Sequence, residues 1–192
     1  FDDAIMEQYL EGEEISPDEI KAALKKGCLE SAFIPTLCGS AFKNKGLQRV
    51  LDAVIDFLPS PTDVGSIQGS SVDNPDDSVE VKNSVDGSFT ALAFKIATDP
   101  FVGKLTYIRV YSGSLKKGSF CIDSNTGEKQ IVSRILQMHA NKREELDEAK
   151  AGEIVAVIGL KDVRTGHTLS EKGDVTLESM EFPDPVVSVS IE

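Results

Sequence analysis

The sequence predicts an α+β chain of more than one domain: a helical and α/β portion over residues 1–60, then a six-stranded antiparallel barrel or sandwich. Three observations carry this. Apolar residues recur at helical spacing as far as Leu58. The stretch from Pro61 to Gly87 turns to Ser, Asp, Asn, Gly and Pro with few large apolar groups. From Phe89 onward, short β-rich segments alternate with turn residues.

The first helix is expected over Phe1–Leu10, where Ile5, Met6, Tyr9 and Leu10 share a face. A second is expected over Pro17–Lys26. Ser16 stands as its N-cap, Pro17 at the first helical position, Asp18 and Glu19 in the first turn where acids favour the helix dipole, and Gly27 as its stop. Phe33–Leu37 is too short an apolar run for a helix and ends at Gly39-Ser40, so it reads as a buried strand, with Cys38 as a small buried hydrophobe. Leu47, Val50, Leu51, Val54, Ile55 and Leu58 then form one apolar stripe of a helix that Pro59-Ser60-Pro61 breaks. Strand, glycine-bearing loop and helix in that order make an α/β unit, which places a loop at the carboxyl end of a strand, where ligands bind.

Residues 61–87 are expected to be a linker with one strand around Val79–Val81. Beyond it, strands are expected at Phe89–Ile96, Gly103–Tyr111, Ser119–Asp123, Gln130–Met138, Ile154–Ile158 and Val175–Leu177, a spacing that implies a closed barrel or sandwich. Leu105, Tyr107 and Arg109 alternate with Thr106, Ile108 and Val110, giving that strand two distinct faces. Ser124-Asn125-Thr126-Gly127 fits a hairpin turn, Gly127 supplying the positive φ.

Composition narrows the function classes. No run approaches the ~20 apolar residues that span a bilayer, so a soluble chain without membrane partners is expected. The net charge of −12 argues against a free-standing nucleic-acid binder. Its placement is uneven: residues 1–87 hold 7 basic and 17 acidic residues, whereas residues 88–182 hold 13 of each. A neutral barrel can still present a local basic face. Cys28, Cys38 and Cys121 are far apart, without a C-x-x-C pair or a histidine at ligand spacing, so a reducing compartment is expected and a metal site is not. The start at Phe1-Asp2-Asp3, with no initiator Met or basic-then-apolar leader, reads as an excised fragment.

Two short stretches stand out chemically. His139-Ala140-Asn141-Lys142-Arg143 sets a histidine, an amide and two cations together; it is either a loop that offsets the acidic run Glu144-Glu145-Leu146-Asp147-Glu148 or an RNA-facing patch working by phosphate contact. Asp99-Pro100-Phe101-Val102-Gly103-Lys104 reads as a turn, with Phe101 exposed or packed under it. His167 reads as a turn residue, since no nucleophile accompanies it, and the scattered aromatics argue against a base-stacking platform.

Three motifs in order, Cys38-Gly39-Ser40-Ala41-Phe42-Lys43-Asn44-Lys45-Gly46, Asp99-Pro100-Phe101-Val102-Gly103-Lys104-Leu105 and Leu136-Gln137-Met138-His139-Ala140-Asn141-Lys142-Arg143-Glu144, resemble elongation factor G of the bacterial-type translational GTPases. Tyr9-Leu10-Glu11-Gly12, Leu58-Pro59-Ser60-Pro61 and Glu178-Ser179-Met180-Glu181-Phe182-Pro183 extend the resemblance over nearly the whole chain. It implies that residues 1–32 end a subdomain inserted in a P-loop GTPase domain, 33–60 supply that domain's last strand, Ser-Ala loop and C-terminal helix, 61–87 are a linker, 88–182 are the β-barrel second domain, and 183–192 begin a third.

The resemblance further implies that Ser40, Ala41 and Phe42 form the guanine-edge loop, the Ala41 N–H donating to guanine O6 and the small side chain allowing close approach. Without the resemblance, Gly-Ser-Ala would be an ordinary turn in which Ser40 caps a helix. His139, Asn141, Lys142 and Arg143 would face ribosomal RNA of the small subunit. The implied parent is a cytoplasmic protein, or one of an organelle of bacterial ancestry, that uses GTP with Mg²⁺ to drive tRNA and mRNA translocation on the ribosome. A ribosome-docking barrel from a recycling, termination or tetracycline-protection factor is the alternative. No G-x-x-x-x-G-K-[ST] phosphate loop occurs, so this chain alone is expected to have no catalytic residues and no tightly bound nucleotide or metal.

Overall fold

A computed structural model describes residues 2–140 and 142–177. The Phe1 end of the first predicted helix, Asn141, the Glu178–Pro183 motif and the expected start of a third domain lie outside the described residues. The chain divides into two compact units, residues 1–65 and 66–192.

Unit 1 is helical. Helix α1 (Asp3–Glu11) is capped by Asp2, whose carboxylate accepts the Ile5 N–H, and ends at Gly12 in the left-handed region. Helix α2 (Pro17–Leu29) starts on the predicted cap: Ser16 Oγ accepts the Glu19 N–H and the Glu19 carboxylate accepts the Ser16 N–H in return, a capping box. It runs through Gly27, which is buried inside the helix rather than stopping it; the chain turns only at Ser31, where φ is 55°. Helix α3 (Leu47–Phe57) carries the predicted apolar stripe, and a second capping box at Ser60 opens the short α4 (Pro61–Val64). Hydrogen bonds from the Ser60 backbone and hydroxyl, then the nearby Lys25 ammonium, hold the Asp63 carboxyl down to about 2.

The buried strand expected at Phe33–Leu37 does not form, and Ile34 is 87% exposed. A strand needs a ladder partner. Among the described residues of unit 1 the only β-pairing is an isolated bridge between Ser40 and Lys45, so that run joins no ladder there. Cys38 is exposed for the same reason, correcting its expected burial.

Unit 2 is all β. Residues 61–87 are not a coreless linker: β1 (Ile67–Ser71) and β2 (Ser78–Val81) pair as an antiparallel hairpin, and β1 also pairs with β13 (Val175–Leu177). Val81, Val175 and Leu177 form a small core with Ile67, Val79, Leu92 and Tyr111 around it. The few apolar residues of the stretch suffice because β13, about a hundred residues away, supplies the rest.

The main sheet takes β3 (Thr90–Asp99), β4 (Gly103–Ser112), β6 (Phe120–Asp123), β7 (Lys129–Ile131), β8 (Arg134–His139), β9 (Lys142–Leu146), β11 (Ile154–Ile158) and β12 (Thr168–Ser170) in the order β7-β6-β12-β3-β4-β11-β8-β9. Because β7 runs directly into β8 through Val132 and Ser133, this order folds back on itself into a barrel-like wall. The pair β5 (Ser114–Lys116) and β10 (Glu148–Lys150) extends it past Gly113. The wall is not built from the six predicted segments. Gln130–Met138 is interrupted at Val132-Ser133, Val175–Leu177 belongs to the hairpin sheet, and Thr168–Ser170 was missed because its three residues, two of them polar, show no alternation. All three of those residues are buried.

Strand β4 has the two predicted faces. Ile108 and Val110 enter the main core with Val132, Ile135, Val157 and Leu169. Leu105 and Tyr107 enter a separate cluster with Leu136, Ala156, Met138, Ile158 and Val102. Gly127, with φ of 74°, closes the predicted turn between β6 and β7.

Candidate functional site

In unit 1, backbone hydrogen bonds hold the loop from Gly39 to Gly46. Ser40 and Lys45 exchange both N–H···O bonds at 3.0 Å, and the Asn44 N–H donates to the Ala41 carbonyl at 3.0 Å, with Asn44 left-handed at φ 52°. A Cβ on Gly39 would stand 2.8 Å from the Lys45 carbonyl oxygen, and Gly46 adopts φ 81° at the mouth of α3, so both positions require glycine. Gly46 is the N-cap of α3 and makes no side-chain bond. Ser40 therefore does not cap that helix, and its hydroxyl has no hydrogen-bond partner among the described residues. The Ala41 N–H likewise has none there, and the Phe42 ring is fully exposed at the tip. The loop can thus offer an unpaired donor beside a small side chain, which suits an acceptor on a planar ligand edge.

In unit 2, the two marked loops of the sequence meet. Asp99 closes β3 and folds the turn that follows: its Oδ1 accepts the N–H of Phe101 at 2.9 Å and of Val102 at 3.1 Å. Val102 packs into the cluster of Leu136 and Met138, laying this turn beside β8 and β9. There Arg143 Nη2 donates to Asp99 Oδ2 at 2.6 Å, and its guanidinium carbon lies 5.8 Å from the centre of the Phe101 ring. Lys104 Nζ donates to the Val163 carbonyl at 2.9 Å, tying a third loop to the same turn. The Phe101 amide first, with the Val102 amide and Arg143, holds the Asp99 carboxyl below the usual carboxylate value against the opposing effect of burial.

His139 and Lys142 face each other across the β8–β9 ladder, both exposed. A shallow groove lined by Gln137, Met138, His139, Lys142, Arg143 and Glu144 runs along this hairpin. The cations do not simply offset the following acids. Arg143 is spent on Asp99, Glu145 is taken by Lys117 and Glu148 by Lys150, while Lys142 makes no ion pair among the described residues. Phe101 is exposed at 86%, deciding between the two placements left open by the sequence.

His167 has a partner to which no sequence signal points. Its Nδ1 lies 2.7 Å from Oδ2 of Asp123, which is buried and whose Oδ1 accepts the Asn125 N–H at 3.0 Å. Around it Ser124 and Ser170 hydroxyls meet at 2.9 Å, Asn125 Oδ1 accepts the Thr168 N–H, and Thr168 Oγ1 accepts the Leu177 N–H. This network locks the β6–β7 turn to β12.

Among the described residues, no group of three or more His, Cys, Asp or Glu could hold a metal, and no helix is long and apolar enough to cross a membrane.

Residues 103–170, from the first residue of β4 to the last of β12, match the family profile described as elongation factor Tu domain 2. A crystal structure of a protein from Thermus thermophilus superposes on 95% of the chain with a TM-score of 0.65 and 24% sequence identity, a likeness of fold. The chain spans 23% of the length of that protein. Over residues 103–170 the second unit is thus similar to domain 2 of elongation factor Tu.

Proposed function

We propose that the chain is a section of elongation factor G, the GTPase that drives translocation of tRNA and mRNA on the ribosome. The observation that carries this reading is the order of parts: a Cys38–Gly46 loop with an unpaired Ala41 N–H precedes an elongation factor Tu domain 2 type barrel. In this reading Ser40, Ala41 and Phe42 border the guanine of GTP or GDP. The loop fits that task, since O6 of guanine accepts a hydrogen bond where adenine presents a donor. Phosphate and Mg²⁺ contacts would come from a phosphate loop elsewhere in the parent, and the chain alone neither hydrolyses GTP nor binds it tightly. The barrel docks the parent on small-subunit RNA through His139, Asn141, Lys142 and Arg143, in the cytoplasm or an organelle of bacterial ancestry.

The test is the parent reading frame and its protein. A phosphate loop and an Asn-Lys-x-Asp element upstream of Phe1, with GTP hydrolysis stimulated by ribosomes, are expected. A parent without a phosphate loop overturns the reading.

A further inference from the structure

An Ala41 N–H can read a ligand edge only if something aims it, and burial does not do so here: residues 41–45 are all exposed. The shape of the loop is set at its base. Gly39 and Gly46, on either side of it, lie face to face. A Cβ on Gly46 would stand 3.3 Å from the Gly39 Cα and 3.1 Å from the Cys38 carbonyl oxygen, and one on Gly39 would stand 2.8 Å from the Lys45 carbonyl oxygen. No side chain fits between the two segments.

That close approach brings Ser40 opposite Lys45, and the Ser40 N–H donates at 3.0 Å to the same Lys45 carbonyl that a Cβ on Gly39 would displace. In return the Ser40 carbonyl accepts the Lys45 N–H at 3.0 Å. This second bond aims the donor. In a planar trans peptide the N–H points opposite to the C=O, so a Ser40 carbonyl turned toward Lys45 turns the Ala41 N–H away from the bridge, to the open side. The Ala41 carbonyl is fixed in its turn by the Asn44 N–H at 3.0 Å. A donor held in one direction before the ligand arrives favours an acceptor over a donor at the facing ligand atom, whereas a loose one can turn to solvent.

We infer that Gly39 and Gly46 are positioning residues which set the purine selectivity of this loop, acting through the Ser40–Lys45 bridge on the Ala41 N–H. This rests on the guanine reading above and adds to it the two residues that enforce the choice of base.

Two measurements test it. NMR temperature coefficients of the whole chain report whether the Ser40 and Lys45 amides are hydrogen-bonded; both are expected to be so in the wild type and to lose that protection in Gly39→Ala. In the proposed parent, affinities are then compared for GDP and for diaminopurine riboside diphosphate, which keeps the amino group of guanine and carries a second amino group in place of O6. Gly39→Ala should narrow the preference for GDP by about 2-fold to 13-fold, the scale of one neutral hydrogen bond, with the affinity for the analogue unchanged. Gly46→Ala should act in the same direction, and it carries the test if Gly39→Ala does not fold.

An equal fall in affinity for both nucleotides would overturn the positioning role, since the glycines would then serve only the fold. Amides that stay protected in both variants, with wild-type preference, would overturn the role of the close approach while leaving the guanine reading intact. Lost protection with wild-type preference, or a wild type that does not distinguish the two nucleotides, would overturn the guanine reading of the loop and the selectivity role with it.

Discussion

Arg143 Nη2 and Asp99 Oδ2 stand 2.6 Å apart, joining the β8–β9 hairpin to the turn between β3 and β4 across 44 residues of sequence. The two partners carry unequal weight. Arg143 contributes an exposed ion pair, an interaction that stabilises proteins little. Asp99 also accepts two backbone amides that have no other acceptor among the described residues. Asp99→Ala should therefore lower the unfolding midpoint in urea more than Arg143→Ala, and an equal effect would contradict the turn-folding role. Because the Asp99 carboxyl is held below its usual 3.8, its contribution is present above that value and is lost as pH falls through the lower folded one. In the Asp99→Asn variant this acid-dependent part of the unfolding curve should disappear.

Thr106 Oγ1 is buried in β4 with no hydrogen-bond partner among the described residues. A buried hydroxyl without a partner costs about 1–3 kcal/mol, so Thr106→Val should stabilise the barrel by about 1 kcal/mol in urea denaturation. A loss of stability would show that the hydroxyl is satisfied by water.

His167→Ala removes the partner of a buried carboxylate and should destabilise unit 2 by about 2 kcal/mol, the scale of a hydrogen bond to a charged group. His167→Gln, which keeps a donor, should recover part of that loss. Unchanged stability in His167→Ala would show that the network does not need the imidazole.

Burial first, and then the charge of Asp123, pushes the Cys121 thiol up to about 12, which disfavours the reactive thiolate near neutral pH. Exposed Cys38 should react with a thiol reagent in the native chain, and Cys121 only after unfolding. Rapid native labelling of Cys121 would contradict its burial in the core.

The parts that were legible in the sequence are the locally determined ones. Ser16 and Glu19 form their capping box, Leu47 to Leu58 form one stripe, and Gly127 closes its turn, because each depends on neighbours a few residues away. Phe33–Leu37 failed because hydrophobicity cannot supply a ladder partner. Gly27 failed as a stop because α2 carries it, buried, and runs two residues further to Leu29. Thr168–Ser170 and the residues around Val79 were underrated because their partners, β3, β6 and β13, are remote. The candidate site shows the same division. Both its loops were visible as motifs, yet nothing in either predicts that Asp99 meets Arg143. That pairing follows from Val102 laying one turn over the other hairpin.

The proposed docking on the ribosome through the β8–β9 hairpin is tested most directly by ribosome-stimulated GTP turnover of the proposed parent, measured across a salt series for the wild type and for Lys142→Ala/Arg143→Ala. Docking through this hairpin predicts lower turnover in the double variant and unchanged nucleotide affinity. The salt dependence should also be flatter, since removing one phosphate interaction reduces the slope by roughly 0.7 to 0.9. Wild-type turnover by the double variant at every salt concentration would contradict it.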